Sequence, residues 1–266
     1  MAKATSNKGS RNGDAAVGGA AAPATRGVTA PKRRRNRALP DCTAAAAALR
    51  DREVPKDATK QSYHHGALKE ALVAAGEAVL AERGLQGFTL RECARRAGVS
   101  HAAPKHHFGD VRGLLTEIAA RGFAQLTKRL RTKLRAAGAD LDAQFIATAE
   151  AYLGFAEAYP EHFRIMFRSD LVDVCEPNLI RAAQQTFIEL TNVIHRQHGE
   201  PEVGVEVVEL RLMSIPVIDD IVLAWGYVHG LAHLKVEGQL AMIPKAVLKD
   251  AMVSAARRLG PLMRPR

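Results

Sequence analysis

Cysteine and long apolar runs are both scarce in this chain, and each scarcity removes a class of protein. Three cysteines, Cys42, Cys93 and Cys175, stand among 266 residues. They are scattered, odd in number and free of any CxxC spacing, which suits a reducing compartment better than a disulfide framework or a zinc site. The N-terminal stretch MAKATSNKGSRNGDAAVGGAAAP has no continuous apolar core, so no secretory signal is expected. One segment is apolar enough to test as a membrane span, residues 215–234, and it carries Asp219, Asp220, His229 and His233, each costly in hydrocarbon. It reads as a buried helix, no membrane partner is expected, and the chain reads as cytoplasmic.

Catalytic signatures are missing too. No phosphate-binding glycine loop, nucleophile elbow or acid pair occurs, so the chain is expected not to be an enzyme and to need no cofactor. His229 and His233 share a helix face at a spacing that can hold zinc, but HGLAH supplies no third ligand, and a hydrogen-bonded core or pocket histidine is the better reading. A metal-dependent enzyme stays open only as a remote alternative that a zinc assay settles.

What the chain has is positive charge, unevenly placed. Its formal net charge is +10; residues 1–60 hold 13 basic against 5 acidic residues, residues 61–140 hold 13 against 7, and residues 141–266 hold 12 against 16. A polyanion such as DNA explains a basic front half, since each cation that neutralises a phosphate releases counterions. Residues 1–60, rich in Gly, Ala, Ser and Pro, are expected to form a disordered basic tail. Its cluster Pro31–Arg37 can lie along phosphates or simply be solvated.

From residue 64 onward the apolar period is helical throughout, which predicts an all-α chain. The informative stretch is FTLRECARRAGVSHAAPKHHFGD, beginning at Phe88. Thr89 can cap a helix whose inner face is Leu90, Cys93, Ala94 and Ala97. Gly98, Val99 and Ser100 then make a tight turn, with Ser100 capping a second short helix from His101 to about His107. Counted from that cap, Pro104 is the fourth helical residue, near enough to the helix start to limit the cost of its missing N–H. Capped helix, glycine turn and second capped helix are the layout of a helix-turn-helix over about residues 88–108, whose second helix enters the major groove.

The run from SYHHGALKEAL to AERGLQGFTLRECARRAGVSHAAPKHHFGDVRGLL, about residues 62–123, resembles the N-terminal domain of the tetracycline-repressor (TetR) family. AWGYVHGLAHLKVEGQL, with Trp225, His229 and Gly230, is similar to the WHG-type C-terminal domain that some members carry. The resemblance implies a tail over 1–60, a three-helix DNA-binding domain over 61–123 and a helical ligand-binding and dimerisation domain over 124–266. Carried over position by position, it makes Thr89 and Ser100 backbone-positioning residues, with Arg91 beside them at the DNA. It makes His101, Ala102 and Ala103 the base-facing set, and Lys105, His106 and His107 the phosphate set. Lys105 stands where members commonly have a tyrosine, and Val111, followed by Arg112, where many have a lysine.

The implied partners are a double-stranded DNA operator, a second copy of the chain and an unidentified small-molecule effector. The expected effector pocket lies near Trp225 and His229, with Phe145, Tyr152, Phe163, Met166 and Phe187 as candidate lining. The function this implies is a ligand-responsive repressor acting as a homodimer on a near-palindromic operator. The alternative is a basic architectural protein that coats DNA without sequence choice through its tail.

Overall fold

A computed structural model describes residue 42 and residues 60–204 and 217–263 of the chain. The expected tail over 1–60, with its basic cluster, lies outside the described residues except for Cys42 and Lys60. Every regular element among the described residues is helical, as the 3.6-residue period requires. In chain order they are α1 (Lys60–Arg83), a single 3-10 turn at Leu85–Gly87, α2 (Leu90–Arg96), α3 (Ala103–Phe108), α4 (Val111–Ala137), α5 (Leu141–Ala158), α6 (Pro160–Met166), α7 (Pro177–His198), α8 (Ile218–Val236) and α9 (Lys245–Leu262).

Local chemistry sets the helix starts. Thr89, Asp110, Asp140 and Glu176 each accept a hydrogen bond from a backbone N–H in the first turn of the helix they precede, satisfying a donor that has no partner inside the helix. Pro160 and Pro177 open α6 and α7, where a missing N–H costs nothing.

The 27-residue α4 is the spine of the fold. Its Leu114, Leu115 and Ile118 pack with Leu80, Phe88 and Cys93 of the N-terminal helices, while Phe123, Leu126 and Leu130 belong to the same buried cluster as Tyr152, Phe155 and Leu179. Tyr159, at the junction of α5 and α6, is 40% exposed, and Ala251 on α9 is exposed, the buried line there running through Leu248 and Ala256.

A correction concerns the thiols. Cys42 and Cys175 form a disulfide with Cα atoms 5.0 Å apart, across 133 residues of sequence. Spacing rules register close pairs, so a bond that only the fold brings together left no trace in the sequence. Cys93 alone is free among the described residues; it is buried between the N-terminal helices, and burial, with the Glu92 carboxylate beside it, pushes its thiol up to about 11.

The joint between α3 and α4 is tight. The Phe108 carbonyl accepts the Asp110 N–H at 2.9 Å, and Asp110 Oδ1 in turn accepts the Gly113 N–H at 2.9 Å. This folds the Phe108 carbonyl over Gly113 so closely that a β-carbon at residue 113 would overlap the carbonyl oxygen. Alanine in a helix interior is favoured over glycine by about 1 kcal/mol, but here the obstacle is backbone rather than a yielding side chain. Gly113→Ala is therefore expected to destabilise by a net ~1–3 kcal/mol and to weaken DNA binding by displacing α3. A higher melting midpoint with intact DNA binding would refute this account of the joint.

Candidate functional site

The first half of the site is built on α2 and α3. Thr89 stands exposed at the start of α2, its Oγ1 accepting the Glu92 N–H at 3.2 Å. After α2 the chain turns at Gly98, whose φ of 68° is the left-handed conformation that glycine adopts without strain. Beyond the turn the structure corrects the expected start of the second helix. It begins at Ala103, with Ala102 in the capping position and no side-chain cap; Ser100 contributes only its carbonyl, to the Ala103 N–H at 3.1 Å. Pro104 explains the shift. Its ring is confined to the first turn, where no N–H is missed, so the helix starts just before it and the Ser100 hydroxyl sits too early to cap.

The expected DNA-facing residues divide by exposure. Arg91, Ser100, His101, Ala102, Lys105 and His106 are exposed, whereas Ala103 and His107 are half-buried and Pro104 is buried. His107 stacks at 5.4 Å against His106 and at 6.1 Å against Phe108, which packs into the core.

Not every cation near α2 is available to a phosphate. Glu92 accepts both Nε and Nη2 of Arg95, at 2.9 and 2.8 Å, and Nε of Arg96 at 2.9 Å; Arg96 Nη2 reaches Glu82 of α1 at 2.6 Å. These hydrogen bonds from Arg95 and Arg96 hold the Glu92 carboxyl down at about 2. Arg112 is committed as well: its Nη2 donates to the Val172 carbonyl at 2.7 Å, in the loop after α6. Arg91 and Lys105 take no part in the ion pairs among the described residues.

The second half of the site is a cavity of about 370 Å³ among α4, α5, α7 and α8. Rings from four helices wall it, Phe123, Tyr152, Phe187 and Trp225, together with Phe167 just after α6. Behind this wall lies His229. Its Nδ1 is 2.8 Å from the Tyr152 hydroxyl, and its ring meets Phe167 edge-on at 4.5 Å and Trp225 at 5.9 Å. Burial pushes the Tyr152 phenol well above its ordinary range and, aided by the neighbouring His233, holds His229 below the usual histidine value. At neutral pH the phenol thus keeps its proton and the imidazole is uncharged, and the two share a hydrogen bond whose direction follows the imidazole tautomer.

Of the seven expected lining residues, Tyr152, Phe187 and Trp225 lie on this cavity. Phe145 lies instead on a separate void of about 30 Å³ that Phe187 and Trp225 also border. Phe163 is 2% exposed and packs against Tyr152 and His229 from the core side. Met166 is buried beneath Gly122, where an added β-carbon would meet its Sδ at 2.6 Å. Phe123 and Phe167, outside the expected set, also line the cavity. Among the described residues no group of three His, Cys, Asp or Glu is placed to hold a metal ion.

A short path joins the halves. The loop that begins at Phe167 returns to the first turns of α4, where Arg112 holds the Val172 carbonyl and Thr116 Oγ1 accepts the Asp173 N–H at 2.8 Å.

Comparison with known proteins agrees with this division. Residues 72–118 match the family model described as bacterial regulatory proteins, tetR family, and residues 145–256 match that described as tetracyclin repressor-like, C-terminal domain. A protein of unknown function from Rhodococcus sp. RHA1 is 28% identical, with 76% of this chain and 98% of that one covered and a TM-score of 0.59. The fatty acid degradation regulator FadR from Bacillus halodurans is 13% identical over 77% of this chain and 96% of its own, with a TM-score of 0.52, a likeness of fold alone. No functionally curated protein matches the sequence. With a helix-turn-helix and a C-terminal helical domain that both match it, the chain belongs to the tetracycline-repressor family of bacterial transcription regulators.

Proposed function

We propose that the chain is a ligand-responsive repressor that binds a near-palindromic operator as a homodimer in the cytoplasm. The observation that carries this reading is the path just described: the residue closing one side of an apolar cavity opens the loop that is hydrogen-bonded to the helix behind the DNA reader. A ligand that displaces Phe167 pulls on Arg112 and Thr116, and so on the joint at Gly113 that aims α3. The free and effector-bound forms then differ in reader geometry, which is what coupling between two sites requires.

Pairing of subunits is supported by apolar side chains left exposed along α8 and α9. Val222 and Leu223 on α8, and Val247 and Leu262 on α9, are all more than a third exposed. A second copy covers such stripes by two-fold symmetry, and it sets two recognition helices about 34–36 Å apart, one turn of DNA, or a multiple of that. No helix among the described residues is long and apolar enough to cross a membrane.

At the DNA, Lys105 is assigned to phosphate and the short side chains of Ala102 and Ala103 to contact with a thymine methyl group. Lys105→Ala should weaken specific and random duplex alike and lower the salt slope by about one for each phosphate left without its lysine. A changed sequence preference with an unchanged slope would make Lys105 a base reader instead.

Coupling is tested at Arg112. Arg112→Ala should leave effector affinity in the absence of DNA within about twofold, while the ratio of effector affinities without and with operator falls by at least about fivefold, the low end of ordinary coupling free energies. If that ratio survives, the loop is not the route.

The Tyr152–His229 pair gives the domain a pH dependence of definite sign. Above the ordinary histidine pKa of about 6.5 the ring is neutral in folded and unfolded chains alike. As pH falls through that value toward the lower folded pKa of His229, the unfolded chain takes up the proton first, so stability is lost on acidification. The melting midpoint should therefore drop between pH 7.5 and pH 5.5, and drop less in His229→Gln; equal slopes in the two proteins would show that His229 does not contribute.

A further inference from the structure

The wall of the Trp225 cavity also restricts the charge of what it holds. Two of the polar groups that approach it are already used. The Tyr152 hydroxyl is committed to His229. Thr186 Oγ1 is bonded to Thr127 Oγ1 at 2.7 Å and lies 3.1 Å from both the Phe123 and Ala182 carbonyls. Gln184 also lines the cavity, and its Oε1 is buried without a partner, which leaves a neutral acceptor there but no counter-ion. Among the described residues no Lys, Arg, Asp or Glu lines the cavity at all.

The contrast with a second concavity is sharp. A groove of about 350 Å³ between α5 and α9 is lined by Arg129, Lys133, Lys235, Lys245 and Lys249, with Glu150 and Glu157 paired to two of them. Charged groups are thus concentrated in the groove, while the cavity between the rings has none.

We infer that the effector is an uncharged, hydrocarbon-rich molecule of about ten carbons that seats against Phe123, Phe167, Phe187 and Trp225; this rests on reading the cavity as the effector site. The volume of about 370 Å³ sits at the small end of ligand pockets. The rings offer faces and edges to an apolar body. A carboxylate or ammonium brought there loses water and gains no counter-ion, so it binds worse than its neutral analogue by more than about a hundredfold. The neutral state of His229 keeps that side chain from placing a cation behind the wall.

The test uses a matched series on the full chain: butylbenzene, 4-butylbenzoate and 4-butylbenzylammonium at neutral pH, followed by emission of Trp225, the single tryptophan. Butylbenzene should change the emission at a concentration at least about a hundredfold below either ion. Ala183→Phe, which fills the cavity from α7, should abolish the change, with Leu190→Phe as a second filling variant should the first not fold. An ion that binds as tightly as butylbenzene overturns the inference about charge and leaves the cavity standing as a ligand site. Silence of all three compounds, or a response that persists in both filled variants, removes the cavity as the site and the inference with it.

Discussion

One helix has to serve two cores at once. The first turns of α4 are packed into the reader, against residues of α1 and α2, and its later turns into the cavity-bearing half, against α5 and α7. Neither half can change its grip on α4 without the other feeling it, because close-packed interiors shift between discrete arrangements rather than deform smoothly. The glycine joint at one end of this helix and the Phe123 ring midway along it are parts of one rigid body. The loop hydrogen bonds to Arg112 and Thr116 add a second attachment at the end nearest the DNA.

Charge around that body is divided between support and reading. A basic front half suggests cations aimed at phosphate, but two of the three arginines of α2, Arg95 and Arg96, are held by Glu92. Glu92 gathers Arg95 and Arg96, with Arg83 at 3.3 Å, and so ties α2 to α1. Exposed pairs of this kind contribute little to stability individually. Their effect is on position: they hold the two-helix support beneath α3 while leaving Arg91 and Lys105 outside the network.

Legibility from sequence followed the range over which each signal acts. The helical class and the Thr89 cap were readable because periodicity and capping are local. Ser100 misled because a serine after a glycine turn looks like a cap; only the requirement that Pro104 sit in a first turn moves the helix start to Ala103. The cavity was half legible. Tyr152, Phe187 and Trp225 were named, but apolar periodicity says which face of a helix is buried and not whether a void opens there, so Phe145 and Met166 were assigned to the lining while Phe123 and Phe167 were not. The Cys42–Cys175 bond was invisible for the same reason, since nothing local announces a partner 133 residues away.

The glycine beneath the Phe108 carbonyl has a consequence for how such a regulator can diverge. Any missense change in a glycine codon introduces a β-carbon, so every one of them at position 113 meets the Phe108 carbonyl. Drift that retunes the angle between reader and spine has to enter elsewhere, through the Gly109–Asp110 turn or the residues on which Phe108 rests. A substitution on the exposed face of α3 meets no such obstacle, so the surface of the helix can vary while the joint beneath it cannot do so without strain.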